Sequence, residues 1–397
     1  MSEPAVVKEN SAENYEEAAR SASKALGESD AELEKRIESL AEFEPGSVLD
    51  NRYTRLSLDW ASMPVSASKF DEMTSPVSGA AAVSPAACRL SKRLKENPRS
   101  LENLKGGASK WDPLVLGAWQ EGVSLVYKAG HKEERAGYVA FGDATGLALE
   151  PILLEVGDGA EAELFLHWRG GSDSSLRLSL LTGVVGAGAK VKLFIFNDEP
   201  AYHHSISINL RLEKEAKVEL FGLWTGGTWT AVREHAELME PGASWRETEI
   251  VAMSGKEHFD WDVRVRHCAP RTVSDVQAKS VLSGRSRAVL TGDIEMENDS
   301  SKGSARLESH VLLLSPGARA DSIPGLEIKA MDLKASHAAS VGRPDESQML
   351  YLQSRGLDES QARRLVVEGF LKSLIQRAPL PFVESAVDAA LERKLGA

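Results

Sequence analysis

The sequence predicts a mainly β protein with helical regions at both ends, and two observations carry that reading. From about Trp111 to Ala335, short runs of alternating apolar and polar residues follow one another, separated by two to six residues rich in Gly, Asn, Asp, Lys or Glu. Period-two alternation in many successive pieces is the pattern of strands with one face turned inward. In addition, GAGAKVKLF, KEAKVELF and PGASWRET each set a short turn before a strand, at spacings of roughly 25 residues, as expected of coils stacked in a solenoid. A sandwich or barrel would also bury that many strand edges. The recurring turn-strand phrase places a β-helix ahead of it.

Three regions follow: residues 1–110, helical and irregular; 111–337, the β core; and 338–397, helical. Residues 11–42 read as two helices. Ser11 can cap the first, and Ser29 or Asp30 can cap AELEKRIESLAEF, where Leu33, Ile37 and Leu40 recur at helical spacing. Glu44–Gly107 is rich in Pro, Ser and Ala, with turn signals at Pro45-Gly46, Pro64 and Pro76, and LENLKGGASKWDPL reads as a boundary. The strand runs are VSLVY, AELFLHW, SLRLSLLTG, KVKLFIFND, HSISINLRLEK, KVELFGLW, SWRETEIVAM, DWDVRVRHC, DVQAKSVL, RAVLTGDIEM, SARLESHVLLL and LEIKAMDL.

The tail reads as helices. Asp345 caps one, with Gln348 three residues on and Gly356 past its end. Asp358 and Gln361 open a second, which carries Ala362, Leu365, Val366, Phe370, Leu374 and Ile375 on one face. Pro379 and Pro381 end it, and FVESAVDAALERKL makes a third. Helices this short are expected to pack on the end of the β body or on another protein.

Bulk properties narrow the function. The net charge of -12 offers no basic face for phosphates, so no nucleic-acid partner is expected. No run of about 18 apolar residues is present, so no membrane span is expected. The acidic, polar N-terminus is unlike a signal peptide, and the two cysteines, Cys88 and Cys268, fit a reducing cytoplasm. Two cysteines cannot build a four-cysteine metal site, so a cluster held here needs other ligands or a partner subunit. No Walker motif is present, and GLWTGGTW lacks the Lys and Ser/Thr of a phosphate loop.

His337 is the candidate ligand, set among small residues (Ala335, Ser336, Ala338, Ala339) where strands give way to helices. Iron accepts imidazole beside thiolate; the plain alternative is a buried or capping histidine. Cys268 after His267 reads as a core cysteine, because neighbours in a strand face opposite ways, and Cys88 reads as structural. His203-His204 reads as a solvated loop. Asp293, Glu295 and Glu297 fall on one strand face, as solvation rather than as the paired acids of a glycosidase.

Three segments then resemble one family in order: RTVSDVQAKSVLSGRSRAVLTGDIEM (271–296), LLLSPGARADSIPGLEI (312–328) and SHAASVGRPDESQMLYLQSRGL (336–357), with EGF at 368–370. They resemble the SufB/SufD proteins of iron–sulfur cluster assembly, SufD most. The resemblance implies a right-handed parallel β-helix with helical flanks and a non-catalytic scaffold role. It implies pairing with a SufB-type sister subunit, or self-pairing as a SufB-like homodimer, and docking of a SufC-type ABC ATPase. An iron–sulfur cluster would be transient and shared with the partner. His337 would serve as its ligand at the interface, and Tyr351, Arg355, Gly356, Leu357 and Phe370 would lie at or near the ATPase docking surface. SufD members of the family often have a cysteine two residues before the histidine, where this chain has Ala335, and a SufB-type protein would offer one in the late strands, where this chain has none after Cys268. The second absence favours the SufD side. The competing class is a β-helix carbohydrate-active enzyme.

Overall fold

The computed structural model describes residues 15–17, 19–24, 28–41, 65–66, 70–71, 87–119, 122–132, 136–142, 146–169, 175–198 and 203–395. Ser11 and the turn signals at Pro45-Gly46, Pro64 and Pro76 lie outside them. Helix α1 (Asp30–Ala41) starts where Ser29 and Glu32 bond reciprocally, Ser29 N–H donating to the Glu32 carboxylate at 2.6 Å. Three short strands follow: β1 (Val65–Ser66), β2 (Phe70–Asp71) and β3 (Ala87–Arg89). Helices α2 (Leu90–Glu96) and α3 (Asp112–Ala118) come next. Residues 112–118, within the stretch read as strands, are helical. Pro113 suits a first helical turn, and the Asp112 carboxylate accepts N–H bonds from Gly107 and Ala108 at 2.7 and 3.1 Å.

The solenoid then alternates between two sheets. One holds β4 (Val123–Tyr127), β6 (Leu147–Val156), β8 (Leu176–Val185), β10 (His203–Leu212), β12 (Trp229–Leu238), β14 (His258–His267), β16 (Arg287–Met296) and β18 (Arg319–Ile328). The other holds β5 (Gly137–Phe141), β7 (Glu161–Trp168), β9 (Lys190–Asn197), β11 (Lys217–Trp224), β13 (Ser244–Met253), β15 (Val273–Leu282), β17 (Ser304–Leu313) and β19 (Lys334–Gly342). Within each of these two series the pairing is parallel. Leu176, His203, Trp229, His258, Arg287 and Arg319 stack as one column, so a coil advances the chain by 26 to 32 residues. This is a parallel β-helix, and the sandwich alternative falls.

The recurring turn phrase has a backbone cause. Every turn from the first sheet to the second, from β6–β7 onward, holds one residue in the left-handed region: Gly159, Gly188, Glu215, Gly242, Arg271, Lys302 and Asp332, with φ from 56° to 79°. Alternate residues fill the lumen, a continuous apolar core that includes Ile152, Leu193, Ile208, Val232, Val263, Val276 and Leu307. The N-terminal helices cover the outer face of the first sheet, packing Leu114, Val115 and Trp119 with Leu149, Leu153 and Leu178.

The tail holds α4 (Glu346–Ser354), α5 (Glu359–Ile375) and α6 (Val383–Leu395). It packs along the outer face of the second sheet, not on the end of the β body. Phe165, Phe194, Phe221 and Ile250 there form an apolar face, and Leu371, Leu374, Val383 and Val387 cover it. The buried stripe of α5 is Ala362, Val367, Leu371 and Leu374, whereas Leu365 is 48% exposed. The sheet takes one stripe of a broad apolar arc, recurring about every 3.6 residues, and leaves Leu365 outside it.

Candidate functional site

The strand order ends at β18 and β19, and every residue of both strands is at least partly exposed. His337 lies inside β19 rather than at a strand-to-helix junction, because the ladder with β17 runs on to Gly342. It extends the column Leu193, Leu220, Glu247, Val276 and Leu307. Paired residues of parallel strands share a face, so His337 occupies a lumen-side position. No further coil covers it, and it is exposed. Ile328 and Val341 also sit on lumen-side positions of this last coil, 48% and 44% exposed. Just inside the mouth, the Ser309 and Ser322 hydroxyls hydrogen-bond to each other.

Beyond Gly342 the chain enters α4, which buries no residue. Asp345 caps it, accepting from the Ser347 and Gln348 N–H groups at 2.7 and 3.3 Å. Tyr351 is 57% exposed, and the Arg355 guanidinium stacks over its ring at 5.2 Å. Gly356 ends the helix with φ 97°, and the Leu357 N–H closes back on the Leu352 carbonyl at 3.4 Å. The Asp358–Gln361 capping box then starts α5. Phe370 is half-buried against the second sheet, under the Lys279 ammonium at 4.8 Å. Tyr351, Arg355, Gly356 and Leu357 therefore share one corner, and Phe370 belongs to the tail's anchorage. A cleft of about 470 Å³ between that corner and the end of β17 is lined by Leu314, Pro316, Met349, Leu350 and Arg363.

Deeper in the lumen lies a group that the sequence reading missed. Glu234 on β12 and Glu247 and Glu249 on β13 are 2%, 0% and 0% exposed, and an oxygen of each lies within 4.8 Å of the others. The indole N–H of Trp261 donates to Glu234 at 2.6 Å, that of Trp245 to Glu247 at 2.6 Å, and that of Trp224 to Glu249. Burial pushes all three carboxyl groups up, well up for Glu247 and Glu249, and the negative neighbours push those two further. One signal was available. Glu247 and Glu249 share the parity of Trp245 and Val251, which marks an inward face.

Other candidates resolve locally. His203 and His204 are not in a solvated loop; they are buried in β10, 3% and 0% exposed, and burial holds His203 down at about 4 and His204 well below its usual value. The surroundings of His204 are polar, with Ser179 at 3.0 Å and Asn197 at 3.1 Å, whereas His203 meets the Trp229 indole edge-on. Polar neighbours made a buried segment read as a loop. Cys268 follows the last residue of β14 and is half-buried, not a core cysteine; its neighbour His267 takes the inward position. Cys88 is half-buried on β3. Glu295 pairs with Arg264 at 3.1 Å and Glu297 with Arg266 at 3.0 Å on the outer face. No helix among the described residues is long and apolar enough to cross a membrane.

Comparison with known proteins agrees with this architecture. Residues 140–370 match the family model described as SUF system FeS cluster assembly, SufBD core domain. The iron–sulfur cluster assembly protein SufD of Bacillus subtilis is 30% identical over 184 residues, 46% of this chain and 42% of that protein. A SufBD family protein of Mycobacterium leprae is 30% identical over 49% of this chain and 50% of its own length. One from Mycobacterium bovis is 27% identical over 66% and 68%. The match thus spans about half the length of the first two relatives. With more than half of its residues in the core-domain match, and with the solenoid that those residues build, the chain belongs to the SufBD family of iron–sulfur cluster assembly proteins.

Proposed function

We propose that this chain is a SufD-like scaffold subunit of the SUF machinery, which pairs through its open end with a SufB-type sister subunit and docks a SufC-type ATPase through α4 and the start of α5. The observation that carries the reading is the uncovered last coil, where β18 and β19 present a sheet edge and His337 stands exposed on a lumen-side position. An unpaired edge is a template for a second chain's strands. The imidazole offers one nitrogen donor to a nascent cluster, and this chain has no cysteine beyond Cys268, so the thiolates would come from the partner. The cluster is cargo, shared and passed on rather than held by this chain alone. No cluster-assembly chemistry is assigned to the chain's own residues beyond ligation, and ATP hydrolysis belongs to the ATPase partner.

The SufD-like side is favoured over a SufB-like homodimer by the missing late cysteine and by the similarity to the Bacillus subtilis SufD. The test is cluster formation in the full complex with His337→Ala. His337 is exposed, so the variant should assemble normally and lose most of its iron and sulfide. A variant complex carrying as much cluster as wild type would sink the assignment.

A further inference from the structure

We propose that Glu234, Glu247 and Glu249 form a lumen site for one divalent cation of the oxygen-preferring kind, a site independent of the proposed interface role. Glu247 and Glu249 rise from one strand two residues apart, and Glu234 reaches them from the facing sheet. Their nearest oxygens lie within 4.8 Å of one another. Oxygens bound to Mg²⁺ can be about 4.2 Å apart and those on Ca²⁺ about 5 Å apart, so the observed spread fits with little or no contraction.

A separate feature points to a ligand. The Oε2 atom of each carboxylate is fixed by its own indole donor, whereas Oε1 of all three is buried with no donor from outside the group; Glu234 and Glu247 are close enough to bond each other if one is protonated, and Glu249 has not even that. One orphaned buried acceptor costs about 1–3 kcal/mol, more when charged; one cation satisfies all three. Room is provided as well. Gly222 faces Glu249 across the ladder, and a Cβ there would run into the Glu249 carboxylate and the Trp224 indole. The donor set is all oxygen, which suits Mg²⁺, Ca²⁺ or Mn²⁺. A divalent ion would offset two of the three charges that the carboxylates carry when deprotonated, where protons must otherwise do so.

Because these side chains are sealed, the ion enters while the coils close. The test therefore refolds the full chain from denaturant with Mn²⁺ and removes free ion by desalting. Wild type should retain about one Mn²⁺ per chain by elemental analysis, with an immobilised paramagnetic resonance signal. Glu247→Gln and the pair Glu234→Gln with Glu249→Gln should retain about tenfold less. Retention by the variants equal to wild type overturns the proposal, as does wild type without retained Mn²⁺; shared protons then neutralise the lumen. If the glutamine variants fail to fold, the wild-type arm decides. No retained Mn²⁺, with equal melting temperatures after refolding in Mn²⁺ and in chelator, overturns the site.

Discussion

His267 shows what a buried titratable side chain does to stability. Its ring is 0% exposed and bonds to the hydroxyls of Thr272 and Ser274, each at 2.8 Å. Burial lowers its pKa from 6.5 to about 4. Between those values the unfolded chain takes a proton that the folded chain refuses, so stability falls as pH drops from 6.5 towards 4. At about 1.4 kcal/mol per unit, the contribution lost by pH 4.5 is about 2–3 kcal/mol. A His267→Asn variant should be less stable than wild type at pH 7 but should lose about 2–3 kcal/mol less on moving to pH 4.5. Urea melts at both pH values measure this, and equal losses in the two proteins would refute it. At this scale the sequence was partly legible. The open setting of His337 was legible from its small neighbours, and the imidazole is exposed. The interior glutamates and His204 were not, because a polar side chain on an inward position looks, in one dimension, like a break in the pattern; His203 faces the other way, buried beneath the N-terminal layer beside Trp229. Only the stacked coils reveal that indoles and amides are waiting for them.

At the scale of elements, alternation found the strands whose outer face is wet. KASHAASVG, the exposed β19, was not among them, and LEIKAMDL overlaps only the last three residues of β18. GYVAF, LALEPILLEV and WTAVREHAEL escaped for another reason. β5 is buried throughout and β6 almost throughout, with Pro151 inside it, so neither alternates. The opening Trp229–Val232 of β12 is buried on both faces beneath the N-terminal layer, which hides the alternation of its second half. Helix caps were legible because they are local: Asp345, Asp358 and Gln361 act where expected. The side on which the tail packs was not, since that depends on the phenylalanines several coils away. Leu371 is the plug of that contact, 0% exposed against the outer face of the second sheet. Leu371→Ala should cost about 2–5 kcal/mol. Hydrogen exchange should show the loss in α5 and α6 first, while the amides of β8–β12 keep their protection. Uniform loss across the solenoid would contradict this.

For the whole molecule, polar links tie the tail to coils far apart. Arg393 bonds Asp198 at 3.0 Å, Lys394 bonds Glu257 at 2.6 Å, and Arg377 bonds Thr248 at 3.1 Å. Removing residues 343–397 should therefore do two things. It should uncover Phe165, Phe194 and Phe221, lowering the melting temperature and raising binding of a hydrophobic dye. It should also abolish co-purification of the SufC-type ATPase. Undiminished ATPase capture by a folded truncated chain would remove the docking role of the tail.

Among the described residues the two ends of the solenoid are unequal, which bears on how many chains the proposed pairing could join. At the far end the last described strands of the two sheets are β2 and β3, two and three residues long and antiparallel to β5 and β4. Strands so short give another chain little to pair with. The other end carries the 10-residue β18 and the 9-residue β19. A rod that was adhesive at both ends would stack head to tail into filaments. Under the proposed pairing, a rod with one long-stranded tip would stop growing once two tips had met, and the difference in length between the first described strands and the last would set that stoichiometry.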